Sequence, residues 1–397
     1  MSTVNESAGG QSAGTVQLDG RVVVVGGGLA TARIVSTLRR KKFTGAIDIV
    51  TAEEHLPYDR PPLSKDVLSG VKDSTTLPFD PAKLAVTVHT GRVATGADTQ
   101  ARVLRTDRGD LPFDGLVIAT GADPIRLPGE GEQLTLRTID DALALRDRLM
   151  PGARVVIIGA SWIGAEVATA AMSHGCEVTC LEYSEAPLSN ALGVDVADRL
   201  LPWWSGVDLR CSTSVREVGG EGVVLTDGTV VPADVVVTGI GVRPAIGWLD
   251  GSGLTIDHGV LTDEYCRTDV PGVVALGDVA QRWSPRTNQH AAVEHWDDAG
   301  GAATTAALAL IGEAPAFDPV PYFWSDQFGH KIQYVGKHGP DDTVAITTSD
   351  DGDLDTARWT APDGTLSAWL GVDRPRDVIA ARTAVGTSAA EFVSAHA

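Results

Sequence analysis

Cysteine is scarce in this chain. There are four in 397 residues (Cys176, Cys180, Cys211, Cys266), none before position 176 and none in a C-x-x-C pair. Neither a redox dithiol nor a cysteine zinc site is therefore signalled, and the cysteine usage fits the reducing cytoplasm. Cys176 and Cys180 flank Glu177-Val178-Thr179 in a stretch that reads as a buried strand, where a free thiol behaves as a small hydrophobe. Long apolar runs are missing as well: none approaches the ~20 residues that span a bilayer. Positive charge is in deficit, with 32 Lys and Arg against 52 Asp and Glu and a net charge of −20. Such a balance argues against nucleic acid and anionic membranes as partners. No group of residues signals a metal site. Residues 1–19 have neither a basic n-region nor an apolar h-region, so this Ser/Gly/Gln-rich segment reads as a disordered tail and not a signal peptide. The length suffices for two or three domains with full cores.

What is present is one nucleotide-binding signature written twice. Val22-Val23-Val24-Val25 leads into Gly26-Gly27-Gly28-Leu29-Ala30-Thr31, and Val155-Val156-Ile157-Ile158 leads into Gly159-Ala160-Ser161-Trp162-Ile163-Gly164. Each is an apolar run of the kind that forms a buried parallel strand, then a Gly-rich turn, then an Ala-rich helix start. In such a unit the first Gly permits the tight turn and the second lets the backbone approach a pyrophosphate. The helix N-terminus, here beginning at Leu29 and Ala30, aims N–H groups and dipole at that anion. An acid follows each turn, Glu53 and Glu182, at roughly the spacing that suits hydrogen bonds to an adenosine ribose. Glu182 would repel a 2′-phosphate, and no Arg follows closely to accommodate one, so NADH is favoured over NADPH.

Two positions depart from the fingerprint. Thr31 stands where Gly or Ala is usual, which predicts slightly looser packing of helix on strand. Ser161 replaces the second Gly of the other unit, and its hydroxyl is a candidate to meet a phosphate. Gly239-Ile240-Gly241 follows the strand Val235-Val236-Val237, and its glycines would let the backbone approach the pyrophosphate or nicotinamide side of NAD.

After Glu53 comes Leu56-Pro57-Tyr58-Asp59-Arg60-Pro61-Pro62-Leu63-Ser64-Lys65, a stiff, non-helical segment with two cations. On this P-Y-x-R-P-x-L-S-K segment, together with the two turns, the chain resembles the FAD-dependent NADH:ferredoxin reductases of oxygenase and cytochrome P450 systems, the putidaredoxin reductase type. The resemblance implies an α/β fold: two Rossmann-like dinucleotide-binding domains, for FAD and NAD, plus a C-terminal α+β domain. It divides the chain into an FAD-binding domain over 20–123 and 246–317, an NAD-binding domain over 124–245, and a cap over 318–397. It puts Lys65 near flavin N5 with Glu166 reaching across to it, although a carboxylate in the first turns of a helix also suits the dipole. It assigns Arg60 and Arg137 to the flavin side and lets Trp162 cover the flavin until nicotinamide displaces it. The strand ending in Ala119-Thr120-Gly121 closes the first part of the FAD domain.

Further along, Thr268-Asp269-Val270-Pro271-Gly272-Val273-Val274-Ala275-Leu276-Gly277-Asp278 is a strand ending in Gly-Asp, and the resemblance has Asp278 bind the ribityl chain. It has the backbone and aromatic ring at His295-Trp296 meet the pyrimidine edge of the flavin. Asp297 stands where the family more often has a neutral residue. From Phe317 onward, short segments (322–327, 331–335, 344–346, 366–370) read as antiparallel strands, followed by a helix holding Val378, Ile379 and Ala381. Trp324, in Phe323-Trp324-Ser325-Asp326-Gln327, is implied to lie close to the flavin.

A redox Cys near the flavin would be needed by disulfide reductases of this architecture, and by oxidases and peroxidases that use one; residues 1–175 have none. The expected reaction is therefore hydride transfer from NADH to FAD, then single electrons to a ferredoxin, by a monomer. Two alternatives remain open at this point: an NADH-dependent reductase of a small molecule such as a quinone or monodehydroascorbate, and a slow-turnover redox sensor of the apoptosis-inducing-factor kind. For docking an acidic ferredoxin, His330, Lys331, Lys337, Arg374 and Arg376 are expected to form a local basic patch.

Overall fold

The computed structural model describes residues 15–396. Most of the expected tail, residues 1–14, lies outside the described residues. The rest of it does not behave as a tail: Val16 is 6 % exposed, packs in a core, and donates its N–H to Leu310 O at 2.7 Å.

The chain divides into two compact units. The first comprises residues up to Tyr58, Thr76–Ala122 and Pro244–Pro319. Its centre is a parallel sheet in the order Val273–Ala275, Gly115–Ile118, Val22–Val25, Ile47–Val50, Thr87–His89. Because side chains alternate along a strand, the four valines feed two cores. Val22 and Val24 pack with Ile34, Val35 and Leu38 of helix Leu29–Arg40 and with Ala302, Ala303 and Ala306 of helix Trp296–Leu310. Val23 and Val25 pack on the other side with Leu104, Leu116, Ile118 and Val279. Burial on both faces is why this strand reads as an unbroken apolar run. The chain runs outward from Val22–Val25 in one direction and returns on its other side, so Gly26 stands at a topological switch point, outside the carboxyl ends of the strands.

The second unit comprises Asp59–Thr75, Asp123–Arg243 and the chain from Val320. It repeats the design in four parallel strands, ordered Asp208–Arg210, Glu177–Leu181, Arg154–Ile158, Val235–Thr238. Val155 and Ile157 join one core, Val156 and Ile158 another. Helix Trp162–Ser173 follows the second Gly-rich turn. Helix Ile139–Arg146 begins at a capping box in which Thr138 accepts from the Asp141 N–H and Asp141 accepts from the Thr138 N–H. The C-terminal part is an antiparallel sheet in the order Tyr322–Gln327, His330–Gly336, Leu366–Val372, Leu354–Thr360, Thr343–Thr348, with helices Val378–Ala384 and Ala389–His396. The strand Leu354–Thr360 has no counterpart among the strands expected from the sequence.

The units differ from the expected domains in two respects. Residues 59–75 leave the first unit and belong to the second, because Leu68 is fully buried in the core of the second sheet and its carbonyl contacts His174 Nε2 at 3.0 Å. The C-terminal sheet, a distinct antiparallel layer as expected, groups with the second unit. Phe328 packs on Trp204, and its N–H donates to Thr169 Oγ1 at 2.8 Å, so the cap shares contacts with the nucleotide-type fold.

Candidate active site

In the first unit, three adjacent parallel strands end side by side. Val22–Val25 delivers Gly26, Gly115–Ile118 delivers Ala119-Thr120-Gly121, and Val273–Ala275 is followed closely by Gly277-Asp278. Gly26 has φ +128°, and a Cβ there would stand 2.1 Å from Ala119 O, so only Gly can make this turn. A Cβ on Gly27 would stand 2.5 Å from Thr51 Oγ1. Helix Leu29–Arg40 starts at Gly28 with no side-chain cap and no acid in its first turn, which leaves the N–H groups of its first turn without a side-chain acceptor. That cradle fits a pyrophosphate.

Thr31 does not loosen the packing as the sequence suggested. It is fully buried, and its hydroxyl donates to Gly26 O at 2.8 Å, so it braces the turn. Glu53, after Ile47–Val50, accepts from Tyr58 Oη at 2.5 Å, which orients the carboxylate. Thr120 Oγ1 donates to Ala245 O at 3.0 Å.

His295 is the N-cap residue of helix Trp296–Leu310, and the Arg33 guanidinium lies 5.5 Å from the Trp296 ring centroid. Burial pulls the His295 imidazole below its usual pKa, against the opposing influence of Asp298, Asp278 and Asp297. The ring therefore stays neutral near pH 7, in keeping with a structural role. Asp298, 5 % exposed, forms a two-pronged ion pair with Arg282 at 3.0 and 2.6 Å. That pair neutralises one of the two acids in the first turn of this helix.

In the second unit, Gly159 has φ +98°, and a Cβ there would stand 2.6 Å from Gly239 O. A Cβ on Gly164 would meet Gly159 O at 2.0 Å. The Ser161 hydroxyl is not available to donate to a phosphate, contrary to the sequence expectation. It donates to Gly239 O at 2.7 Å and accepts from Gly164 N at 3.2 Å, capping the helix and tying two loops together. Gly241 has φ +108°. Glu182 accepts the N–H of Ala160 on one oxygen (2.6 Å) and of Ser184 on the other (2.7 Å). The carboxylate is thereby fixed at the end of Glu177–Leu181 with lone pairs left for hydroxyl donors. Ile163 is exposed, and Trp162 packs edge-on against Phe323 with centroids 4.7 Å apart.

A buried polar cluster of the second unit surrounds Glu166, which is 3 % exposed. Lys65 Nζ lies 2.9 Å from both carboxylate oxygens, across a sequence separation of 101. Ser64 Oγ donates to Oε2, Ser325 Oγ donates to Oε1 at 2.6 Å, and Asp326 N–H donates to Oε1 at 3.2 Å. Ser64 and Ser325 were not among the residues singled out from the sequence. Their neighbours Lys65 and Trp324 drew attention, but which way a serine hydroxyl points is decided by tertiary packing alone. Arg60 Nη1 donates to Arg137 O at 2.5 Å, and the Arg137 N–H donates to Asp141. Trp324 stacks with Tyr322, centroids 6.1 Å apart. Arg60, Lys65, Arg137 and Trp324 thus belong to the second unit, whereas Gly26, Glu53, Thr120, Asp278 and Trp296 belong to the first.

The proposed basic patch is largely neutralised. His330 pairs with Asp373 (2.9 Å), Lys331 with Asp326 (2.9 Å), and Arg374 with Asp377 (2.7 Å) and Asp355 (3.3 Å). Only Lys337 and Arg376 of the five have no ion pair among the described residues. Cys180 and Cys266 are buried, and the described residues contain no group of three His, Cys, Asp or Glu placed to hold a metal ion.

Comparison with known proteins gives a consistent set of likenesses. Residues 20–303 match the family of pyridine nucleotide-disulphide oxidoreductases, and residues 322–396 match the family described as reductase C-terminal. The ferredoxin--NAD(+) reductase component of the anthranilate 1,2-dioxygenase system of Burkholderia cepacia is 34% identical, over 92% of this chain and 94% of that protein. The crystal structure of Fdr9 superposes with a TM-score of 0.90 at 55% identity, covering 92% of this chain and 94% of that one. The covalent putidaredoxin reductase–putidaredoxin complex does so with a TM-score of 0.86 at 29% identity, over 92% of each chain.

Proposed function

The chain belongs to the pyridine nucleotide-disulphide oxidoreductases, and from that premise we propose that it passes electrons from NADH, through bound FAD, to a ferredoxin serving an oxygenase or a cytochrome P450. It is an FAD-dependent oxidoreductase that uses NADH. The observation that carries the residue-level reading is the Lys65–Glu166 ion pair, whose carboxylate is buried and held by three further donors. FAD, when bound, would supply the chemistry that splits the two electrons of one hydride into single electrons.

The chain's own residues bind, orient and set charge. The Gly26–Ala30 turn takes the FAD pyrophosphate, and Glu53 takes the ribose hydroxyls. Ala119, Thr120, Gly121, Gly277, Asp278, His295 and Trp296 complete the first unit's set, and the resemblance assigns Arg60, Arg137 and Trp324 to the flavin as well. The Gly159–Gly164 turn, with Trp162, Ile163, Gly239 and Gly241, receives NADH. Glu182 accepts its adenosine ribose hydroxyls and disfavours a 2′-phosphate. Lys65 supplies a fixed positive charge to offset negative charge gained by the flavin, and Glu166 holds the ammonium in place.

The buried polar cluster around Glu166 supports the charge-setting role, since charge held in a low-dielectric site acts more strongly than charge in water. Of the five candidate cations, Lys337 and Arg376 are the two left for an acidic partner. The working form is a cytoplasmic monomer that binds neither nucleic acid nor membrane. The net charge of −20 speaks against nucleic acid and anionic membrane surfaces, and no helix of the described residues is long and apolar enough to cross a bilayer.

The test is an anaerobic titration of the FAD-loaded protein with NADH and, separately, NADPH. Fast bleaching of the flavin bands by NADH, slow bleaching by NADPH, and reduction of cytochrome c only when a ferredoxin is added are expected. Saturable turnover of a quinone without any response to a ferredoxin would replace this reading with a small-molecule reductase.

A further inference from the structure

Glu166 sits in the first turns of helix Trp162–Ser173, yet most of what holds its carboxylate comes from elsewhere in the chain. An ionised carboxylate offers about four acceptor sites. Lys65 takes both oxygens, Ser64 reaches Oε2, and Ser325 and the Asp326 N–H reach Oε1. The last two belong to Tyr322–Gln327, the first strand of the C-terminal sheet. Along this strand Ser325 (1 % exposed) and Gln327 (2 %) face inward, and the partly exposed Trp324 and Asp326 alternate with them.

Gln327 Nε2 donates to Ser325 Oγ at 3.2 Å. The serine oxygen is thus already accepting, and its single hydrogen is directed to Glu166. The same end of the strand is fastened to the same helix by the Phe328 N–H on Thr169 Oγ1. Ser325 is therefore a one-way donor, oriented by a buried amide and aimed at a buried carboxylate.

We propose that Ser325 is a positioning residue. Through its hydroxyl, assisted by the Asp326 N–H, the C-terminal sheet fixes the side-chain conformation of Glu166 and so fixes where the Lys65 ammonium stands. Its functional consequence rests on the reading of Lys65 given above. Without the Ser325 hydroxyl, Oε1 keeps Lys65 and the longer Asp326 contact, and the two-pronged grip on the ammonium is populated less of the time. The C-terminal sheet is then a component of the reducing site as well as a candidate docking face.

The experiment follows Lys65 itself. FAD-loaded protein is pulsed with an amine-acylating N-hydroxysuccinimide ester, and the modification rate of Lys65 is read by peptide mass against the exposed Lys337. Ser325→Ala and Ser64→Ala are each expected to raise the relative Lys65 rate about tenfold, the population shift set by losing one hydrogen bond to a charged group. Val378→Ala, which loosens the packing of the C-terminal sheet without touching Glu166, is expected to leave it unchanged. In stopped flow, Ser325→Ala should lower the limiting rate of flavin bleaching by NADH and leave the half-saturating NADH concentration alone. Wild-type labelling in Ser325→Ala overturns the inference, as does an equal rise in Val378→Ala. A wild-type protein whose flavin NADH fails to bleach would overturn the function proposed above, while the labelling would still decide whether Ser325 holds the pair.

Discussion

Lys65→Met and Glu166→Gln break the same ion pair from its two sides, and the structure says that they should not cost the same. Glu166 is 3 % exposed, and the Lys65 side chain 20 %. In Lys65→Met the carboxylate stays where it is, since it has no route to water, and it keeps Ser64, Ser325 and the Asp326 N–H as donors. Losing one partner of a buried pair costs about 3–5 kcal/mol, because the other charge is left uncompensated. In Glu166→Gln the ammonium can swing toward solvent, so screening reduces the loss to about 2–3 kcal/mol. The double variant leaves no buried charge and returns part of both losses, so its cost should fall short of the sum by about 2 kcal/mol or more. The measurement is a double-mutant cycle in urea at saturating FAD, followed by tryptophan fluorescence, with slopes checked for constancy. The limiting rate of NADH-driven flavin bleaching is read on the same four proteins. It should fall in all three variants and not recover in the double, because stability returns but the cation does not. A coupling below about 0.5 kcal/mol would show that the two groups act independently and refute the reasoning.

Gly26→Ala should abolish flavin retention, read as the ratio of flavin to protein absorbance, because the new Cβ would stand 2.1 Å from Ala119 O at a φ of +128°; a full complement of flavin would show that the turn can move. Glu182→Gln should narrow the NADH over NADPH preference in kcat/KM by tenfold or more, through loss of the charge that repels a 2′-phosphate, and an unchanged ratio would remove Glu182 from specificity. Burial pushes the Cys266 thiol from 9.0 up to about 12. The folded state then holds a proton that the unfolded state releases, so stability is complete below about pH 9 and falls as pH rises toward 12. Urea midpoints between pH 8 and 11 should decline more steeply in the wild type than in Cys266→Ala, and parallel declines would refute the assignment.

What the sequence made legible follows the physics of each element. Val22–Val25 and Val155–Ile158 are covered on both faces, so their strands appear as unbroken apolar runs, and the glycines after them are forced by backbone contacts of 2.1 and 2.6 Å that no side chain could survive. Leu354–Thr360 was invisible because only Leu354, Ala357 and Trp359 are buried, with Asp355 and Arg358 between them and a register shift near Thr360. Val16 was hidden in a short stretch with no apolar run to mark it, and its place is set by Leu310, nearly three hundred positions away. Serine is the general case. The residue type was readable at positions 64, 161 and 325, and a hydroxyl beside a phosphate turn suggests a ligand contact. Yet the structure uses all three for internal bracing, Ser161 between two loops and Ser64 and Ser325 on one carboxylate. A hydroxyl has one hydrogen to give, and the nearest buried acceptor takes it, because leaving a buried acceptor such as Glu166 unsatisfied costs more than leaving a ligand to find backbone N–H donors. The donors left for anions at both turns are therefore main-chain amides. That is why the two cradles tolerate Thr31 and Ser161 where the fingerprint has smaller residues, and why substitutions there should act on the shape of the turn before they act on the chemistry.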